Sequence, residues 1–328
     1  AGPSRHTLDR AYRVMQQHPI ILDDAAIRKL LGKLDIRGLL ERMFRSLGEG
    51  TATQPPQTLS LFPANAGDFI TYLGVLAGEK VFGAKLSPYI PADGKALVTA
   101  WTVLMSMETG EPLLLCDSKR LTTERTAATT AIAADLLARP DSRTLAIVGT
   151  GAVGQAHLRY AENIRQWQEV RLYSRHAHER SELPDRLSTG CPVRLAADAD
   201  AAIADADVVM LCTSSGTPVI DTKLLRRNAL VTSISTNAAN AHEIDPAALA
   251  GFDVYCDYRA TTPASAGEMK LAAAAGKWSP DRLRGDLPEL MTGRAEKPSG
   301  ERPAFFRSIG LGLEDIAAAV AALAAARG

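Results

Sequence analysis

The chain has 328 residues, 46% hydrophobic and 23% charged, with Lys+Arg and Asp+Glu equal at 37 each. That length favours two domains of ordinary size, and the composition supports a packed globular core. Zero net charge argues against a nucleic-acid binder, which needs a basic face to displace phosphate counterions, and no apolar run reaches the ~18–20 residues of a membrane span.

Residues Ala1 to about Arg13 carry no apolar signal-peptide core, Met15 is the expected natural start, and a cytoplasmic location follows. Asp23-Asp24 ahead of residues 25–31 predicts a capped helix, and residues 36–48 a second, with Leu39, Leu40, Met43 and Leu47 at helical spacing. After Pro55-Pro56, β-formers at 58–62, 68–75, 81–87, 97–105 and 112–116 predict a mostly antiparallel sheet with the two helices beside it. Residues 120–138 predict a long helix that stops before Pro140. Strand and helix then alternate: strands at 144–148, 169–173, 208–212, 230–234 and 253–256, helices at 153–164 and 199–204. That alternation is the pattern of an α/β doubly wound parallel sheet. Residues 280–303 read as loop with short helical turns, and 313–325 as a final helix. Cys116, Cys191, Cys212 and Cys256 are widely spaced, without a CxxC pair, and are expected as reduced, buried thiols.

The run Gly149-Thr150-Gly151-Ala152-Val153-Gly154 follows a buried strand and opens a helix, the context in which GxGxxG marks a dinucleotide site. The first glycine permits the turn, the second lets a pyrophosphate reach the backbone, and the third lets helix and strand pack closely. The amides of Gly151, Ala152 and Val153 would then face the phosphates. The second strand ends in Ser174-Arg175-His176, where an NAD site usually carries an acid for the ribose hydroxyls. A guanidinium there suits a 2′-phosphate, so NADP(H) is the preferred cofactor and NAD(H) the alternative. Thr213 and Ser214 follow the strand at 208–212, at the carboxyl edge where ligands sit in open α/β sheets. His157 is expected to pack or bond the backbone, and His242-Glu243 to lie in a surface loop. His176 and His178 lack partners at zinc spacing, so no metal is expected.

Several segments together resemble the ornithine cyclodeaminase and mu-crystallin family. They are Gln54-Pro55-Pro56-Gln57-Thr58, Gly83-Ala84-Lys85-Leu86, Glu124-Arg125-Thr126-Ala127-Ala128, the glycine turn with Gln155-Ala156-His157, Asn237 through Asp245, and Phe306 through Asp315. The resemblance implies a Rossmann NAD(P)-binding domain at 126–303. It would be inserted in a split α+β domain for substrate binding and homodimerisation, residues 1–125 and 304–328. It implies that Lys85 and Arg125 bind the carboxylate of a small amino or imino acid, and that Arg125 and Thr126 lie near the cofactor. Two positions depart from the family. Gln57 stands where an arginine is frequent, so a substrate contact there is weaker or differently suited. Asn237 stands where cyclodeaminases carry a catalytic aspartate, and an amide cannot act as a general base. Lys85 and Asn237 are the catalytic candidates. The favoured activity is an NADPH-dependent reductase or dehydrogenase of an α-imino or α-amino acid. The alternatives are a cyclodeaminase with tightly held NAD and a mu-crystallin-like protein that binds NADPH and a small ligand without turnover.

Overall fold

Two acidic caps start the helices nearest the N-terminus. In the structure, a computed structural model that describes residues 19–92, 96–177, 182–236 and 240–328, Asp23 accepts from the Ala26 amide at 2.8 Å and Asp35 from the Gly38 amide at 3.0 Å. These caps satisfy helix N–H groups that have no intrahelical partner. The expectations for Met15, His178 and Asn237 fall outside the described residues.

The chain divides into two units, Ala1–Arg125 with Leu311–Gly328, and Thr126–Gly310. The first holds β1 (Ile20–Leu22), α1 (Asp24–Leu30), α2 (Ile36–Gly48), β2 (Ala52–Thr53), β3 (Thr58–Leu61), β4 (Asp68–Leu76), β5 (Val81–Ile90), β6 (Leu97–Val98), β7 (Trp101–Ser106) and β8 (Pro112–Asp117). Its sheet runs β1-β8-β7-β5-β4-β2, with β3 also on β4 and β6 on β5, and every pairing is antiparallel except β1 with β8. The expected strand at 97–105 is two strands, broken at Thr99-Ala100, where the Ala100 carbonyl accepts from the Ser118 amide. α3 (Lys119–Leu137) crosses the unit boundary within its length.

The second unit holds β9 (Thr144–Val148), α4 (Ala152–Ala161), β10 (Glu169–Tyr173), β11 (Val193–Leu195), α5 (Ala199–Ile203), β12 (Val208–Leu211), β13 (Leu230–Ser233), β14 (Asp253–Cys256), α6 (Thr262–Ser265), α7 (Gly267–Ala274), β15 (Leu283–Asp286), α8 (Leu287–Met291) and β16 (Ala304–Arg307). All eight strands are parallel, in the order β11-β10-β9-β12-β13-β16-β14-β15. β10 goes to one side of β9 and β12 to the other, so the winding reverses between β9 and β12, and open α/β sheets bind ligands beyond the carboxyl ends of strands at such a switch point. Ala146, Val148, Val209, Leu211, Val231, Val254 and Phe305 make one buried core on this sheet.

Two expectations are corrected here. Residues 280–303 hold the expected short helical turn, α8, but also strand β15, and the split domain resumes at Leu311 rather than 304, because β16 sits inside the parallel sheet between β13 and β14. The last helix, α9 (Gly312–Arg327), returns to the first unit and is buried along most of its length. It lies against β4 and β5 through glycines: a Cβ on Gly312 would stand 2.2 Å from the Leu73 carbonyl oxygen, and one on Gly74 would stand 3.1 Å from Leu313 Cα.

Candidate active site

The three glycines of the turn after β9 have three separate physical roles. Gly149 holds φ +107°, and a Cβ there would lie 2.5 Å from the Cys212 carbonyl oxygen at the end of β12. A Cβ on Gly154 would lie 1.8 Å from the Gly149 oxygen, so helix and turn close only because it is absent. A Cβ on Gly151, the N-cap residue of α4, would meet no atom beyond its own chain neighbours within 4 Å. Two glycines therefore serve the protein's own packing, and the middle one faces open space at a helix N-terminus. That arrangement fits a dinucleotide pyrophosphate.

The Gly149 amide donates to the Tyr173 carbonyl at 2.7 Å, and Thr150 Oγ1 and Ser174 Oγ bond at 2.6 Å, tying the turn to the end of β10. Ser174 is half-buried, while Arg175 and His176 are exposed just beyond it. Ala152 is exposed and Val153 half-buried in the first turn of α4. Thr126 is half-buried, and its carbonyl accepts from Thr130 Oγ1 at 3.2 Å.

Thr213 does not present its hydroxyl outward. Thr213 N and Oγ1 both donate to Glu243 Oε1, at 2.8 and 2.7 Å, and Ser214 beside it is exposed. Glu243, expected in a surface loop, is fully buried. Its position corrects the sequence reading: a carboxylate is tolerated inside because donors converge on it. His157 behaves as expected, with Nδ1 2.8 Å from the Val153 carbonyl and Nε2 3.0 Å from Thr130 Oγ1, and burial pushes its pKa down to about 4. The four cysteines are free and buried. Among the described residues no cluster of His, Cys, Asp or Glu is placed to hold a metal.

In the first unit, Lys85 projects from β5 and is almost wholly buried, as is Arg125 on α3. Asp315, in the first turn of α9, joins them: one oxygen is 2.8 Å from Lys85 Nζ and the other accepts from Arg125 Nε at 3.0 Å. Glu314 accepts from the second side of the guanidinium at 3.1 Å. The Lys85 ammonium also stands 4.0 Å from the centre of the Tyr72 ring, a cation–π geometry. Burial pushes the Lys85 amine down to about 8, opposed by the Asp315 charge and assisted by Arg125. Burial disfavours the charged Arg125 too, but Asp315 and Glu314 outweigh it and hold its pKa above the ordinary value. Both cations are thus fixed side by side in a charge-matched cluster, and an ammonium with three donors and a guanidinium with five are not exhausted by these acids.

Gln57 is exposed. Within the same motif it is Gln54 that engages: its Oε1 accepts from the Leu313 amide at 2.9 Å and so caps α9, whose own N-cap residue Leu311 has an apolar side chain that cannot accept a hydrogen bond. Sequence reading missed Gln54, Glu314 and Asp315 as partners, although all three stand in segments quoted for the family resemblance.

Residues 17–326 match the profile of the ornithine cyclodeaminase/mu-crystallin family. An NAD(P)H-dependent anabolic L-arginine dehydrogenase of Pseudomonas aeruginosa is 53% identical over 301 residues, covering 92% of this chain and 95% of that protein. A probable ornithine cyclodeaminase from Bordetella pertussis superposes with a TM-score of 0.83 at 30% identity, covering 94% and 98% of the two chains. A Thermococcus litoralis Δ1-pyrroline-2-carboxylate reductase, solved with NADH and L-proline, shares the fold with a TM-score of 0.85 at 22% identity, covering 94% and 97%.

Proposed function

Because this chain belongs to the ornithine cyclodeaminase/mu-crystallin family, we propose that it is an NADPH-dependent oxidoreductase that interconverts a small α-imino acid and its α-amino acid. The observation that carries this is the division of labour at Gly149, Gly151 and Gly154, which leaves open space only where a pyrophosphate would approach. The 53% identity to an L-arginine dehydrogenase over nearly the whole of both chains favours the imino form of arginine as the substrate. When bound, the nicotinamide supplies or accepts the hydride at the α-carbon.

The amides at Gly151, Ala152 and Val153 would hold the pyrophosphate, and exposed Arg175 would take the 2′-phosphate beside Ser174 and His176. Lys85 and Arg125 would orient the substrate carboxylate, with Asp315 and Glu314 holding both cations in place. Asn237 would place the substrate nitrogen by donating and accepting hydrogen bonds. Its amide cannot take a proton, which disfavours cyclodeamination.

A homodimer is part of the same reading. The β5 face that carries Phe82 and Leu86 leaves both exposed, and the cross-strand row Leu73–Ala84–Val103–Leu115–Ile21 continues it across the sheet. An apolar face of this extent on an antiparallel sheet is what a second copy would cover. The absence of any helix long and apolar enough to cross a membrane, among the described residues, and four free thiols support placement in the cytoplasm.

The test is NADPH oxidation followed by absorbance with a panel of 2-oxo acids plus ammonia, including the 2-oxo acid of arginine, and with cyclic imines. The arginine-derived imine is expected to be reduced fastest, with NADPH favoured over NADH. Arg175→Ala should cut that preference about tenfold or more, the size of a lost charge-assisted bond of ~1.5–3 kcal/mol. Equal kinetics with the two cofactors would remove the NADPH preference. Intact NADPH binding with no turnover of any imine would instead favour the binding-protein reading.

A further inference from the structure

One buried carboxylate joins the two loops at the carboxyl edge of the parallel sheet. Glu243 Oε1 accepts from Thr213 N and Oγ1, beyond β12, while Oε2 accepts from Ser233 Oγ at 2.7 Å, Ile234 N at 3.0 Å and Ser235 N at 3.2 Å, at the end of β13. A second stitch runs the same way: Ser235 Oγ donates to the Ser215 carbonyl at 2.7 Å, and the Ser215 amide donates to Thr213 Oγ1 at 3.1 Å. From β16, Arg307 donates to the Ser235 carbonyl, and its Nε lies 2.8 Å from Glu268 Oε1. The turn held this way begins against the glycine turn, since a Cβ on Gly149 would meet the Cys212 oxygen and the Thr213 nitrogen.

We propose that Glu243 is a positioning residue that locks the turn at Thr213–Ser215 to the end of β13 and thereby sets how a nicotinamide dinucleotide lies along that edge. Thr213 contributes shape: its hydroxyl is spent inward, donating to Glu243 and accepting from Ser215, and the turn presents Ser214 to solvent. Donors converging from two loops onto the two oxygens of one carboxylate define one arrangement of both loops, and a buried network of this kind specifies geometry when fully satisfied. The proposal rests on the NADPH-dependent reading above.

Glu243→Gln tests it with a directional expectation. The amide NH2 can replace only one oxygen. Turned toward β13 it would face two backbone N–H donors, and toward Thr213 only one, so it turns toward Thr213 and releases that turn while Ile234 and Ser235 stay held. In the protein without cofactor, amide exchange at Thr213 and Ser215 should accelerate at least about tenfold, and that at Ile234 and Ser235 much less. With NADPH saturating, single-turnover hydride transfer should fall by about tenfold or more, since small misplacements carry costs of that order. The deuterium isotope effect with NADPH labelled at the transferred position should rise, and the NADPH Kd should change less than the rate.

Accelerated exchange with an unchanged single-turnover rate and isotope effect would make Glu243 merely structural and overturn the proposal. Unchanged exchange would overturn the clamp itself. Should Glu243→Gln fail to fold, Ser235→Ala removes only the second stitch and should move the same readouts in the same direction by less. Should the parent reduce no imine, the functional reading fails by itself. The emission maximum of bound NADPH then decides positioning: a shift between parent and variant supports it, and identical spectra refute it.

Discussion

Asp315 gives one oxygen to Lys85 and the other to Arg125, so a single acid orients both cations assigned to the substrate carboxylate. The consequence is pH-dependent. Burial lowers the Lys85 pKa from 10.5 to about 8. Below about pH 8 the folded and unfolded chains both hold this proton; between there and 10.5 the unfolded chain binds it and the native one does not, so the contribution of Lys85 to stability rises with pH across that window. Urea unfolding of the parent and of Lys85→Met at about pH 7 and about pH 10 should show the parent's advantage over the variant growing with pH, by on the order of a few kcal/mol. A constant difference would mean that the amine is not desolvated as described. Activity runs the opposite way, because the uncharged amine no longer attracts a carboxylate, so kcat/KM for the imino acid should decline above about pH 8. The sequence named Lys85 and Arg125 only through resemblance. It could not pair them with Asp315, since Arg125 and Asp315 stand 190 positions apart and no local pattern connects them. Glu243 escaped for a related reason: in sequence it is a charge in a polar loop, and only the meeting of two distant loops makes it an internal acceptor.

The glycine turn was legible because strand, turn and helix are contiguous, and two of its three glycines make separable predictions. Gly154→Ala forces a methyl to 1.8 Å from the Gly149 oxygen, so helix α4 must move. Overpacking of this kind costs roughly 1–3 kcal/mol or more, above the ~1 kcal/mol that alanine would otherwise gain inside a helix. Gly151→Ala meets no atom beyond its own chain neighbours and keeps an ordinary extended backbone, φ −68° and ψ −173°. Its stability should stay within about 0.5 kcal/mol of the parent, while the NADPH Kd rises about tenfold or more because the methyl occupies space left for phosphate. Thermal melts and NADPH titrations of the two variants check this. If both variants lose stability and neither loses affinity selectively, the open space at Gly151 is not the phosphate position. Other elements were less legible. β15 reads Leu283-Arg284-Gly285-Asp286, and as an edge strand of the parallel sheet it needs little apolar character. β16 was hidden because its partners, β13 and β14, are reached only by a return of the chain across the sheet.

The alternation of β5 explains both the burial of Lys85 and the surface on its other side. Val81, Gly83 and Lys85 turn toward the buried face, and Phe82 and Leu86 turn away. In sequence the set with Phe82 and Leu86 is the more apolar and the other carries a lysine, so strand content was readable but which face is covered was not; the packing of α9 decides it. On the open face Leu86 pairs across the strands with Trp101, and Phe82 with Met105. Leu86 is 45% exposed in the single chain, so the fold does not require it to be apolar. A charge there should leave the monomer stable, whereas in a two-fold dimer it would desolvate two unpaired carboxylates at a cost of several kcal/mol. Sedimentation should therefore find the parent as a dimer and Leu86→Glu shifted toward monomer, with NADPH affinity unchanged, because the glycine turn and Arg175 belong to the Thr126–Gly310 unit. A parent that sediments as a monomer, or a variant that stays dimeric at the same concentration, would remove this face as the site of self-association.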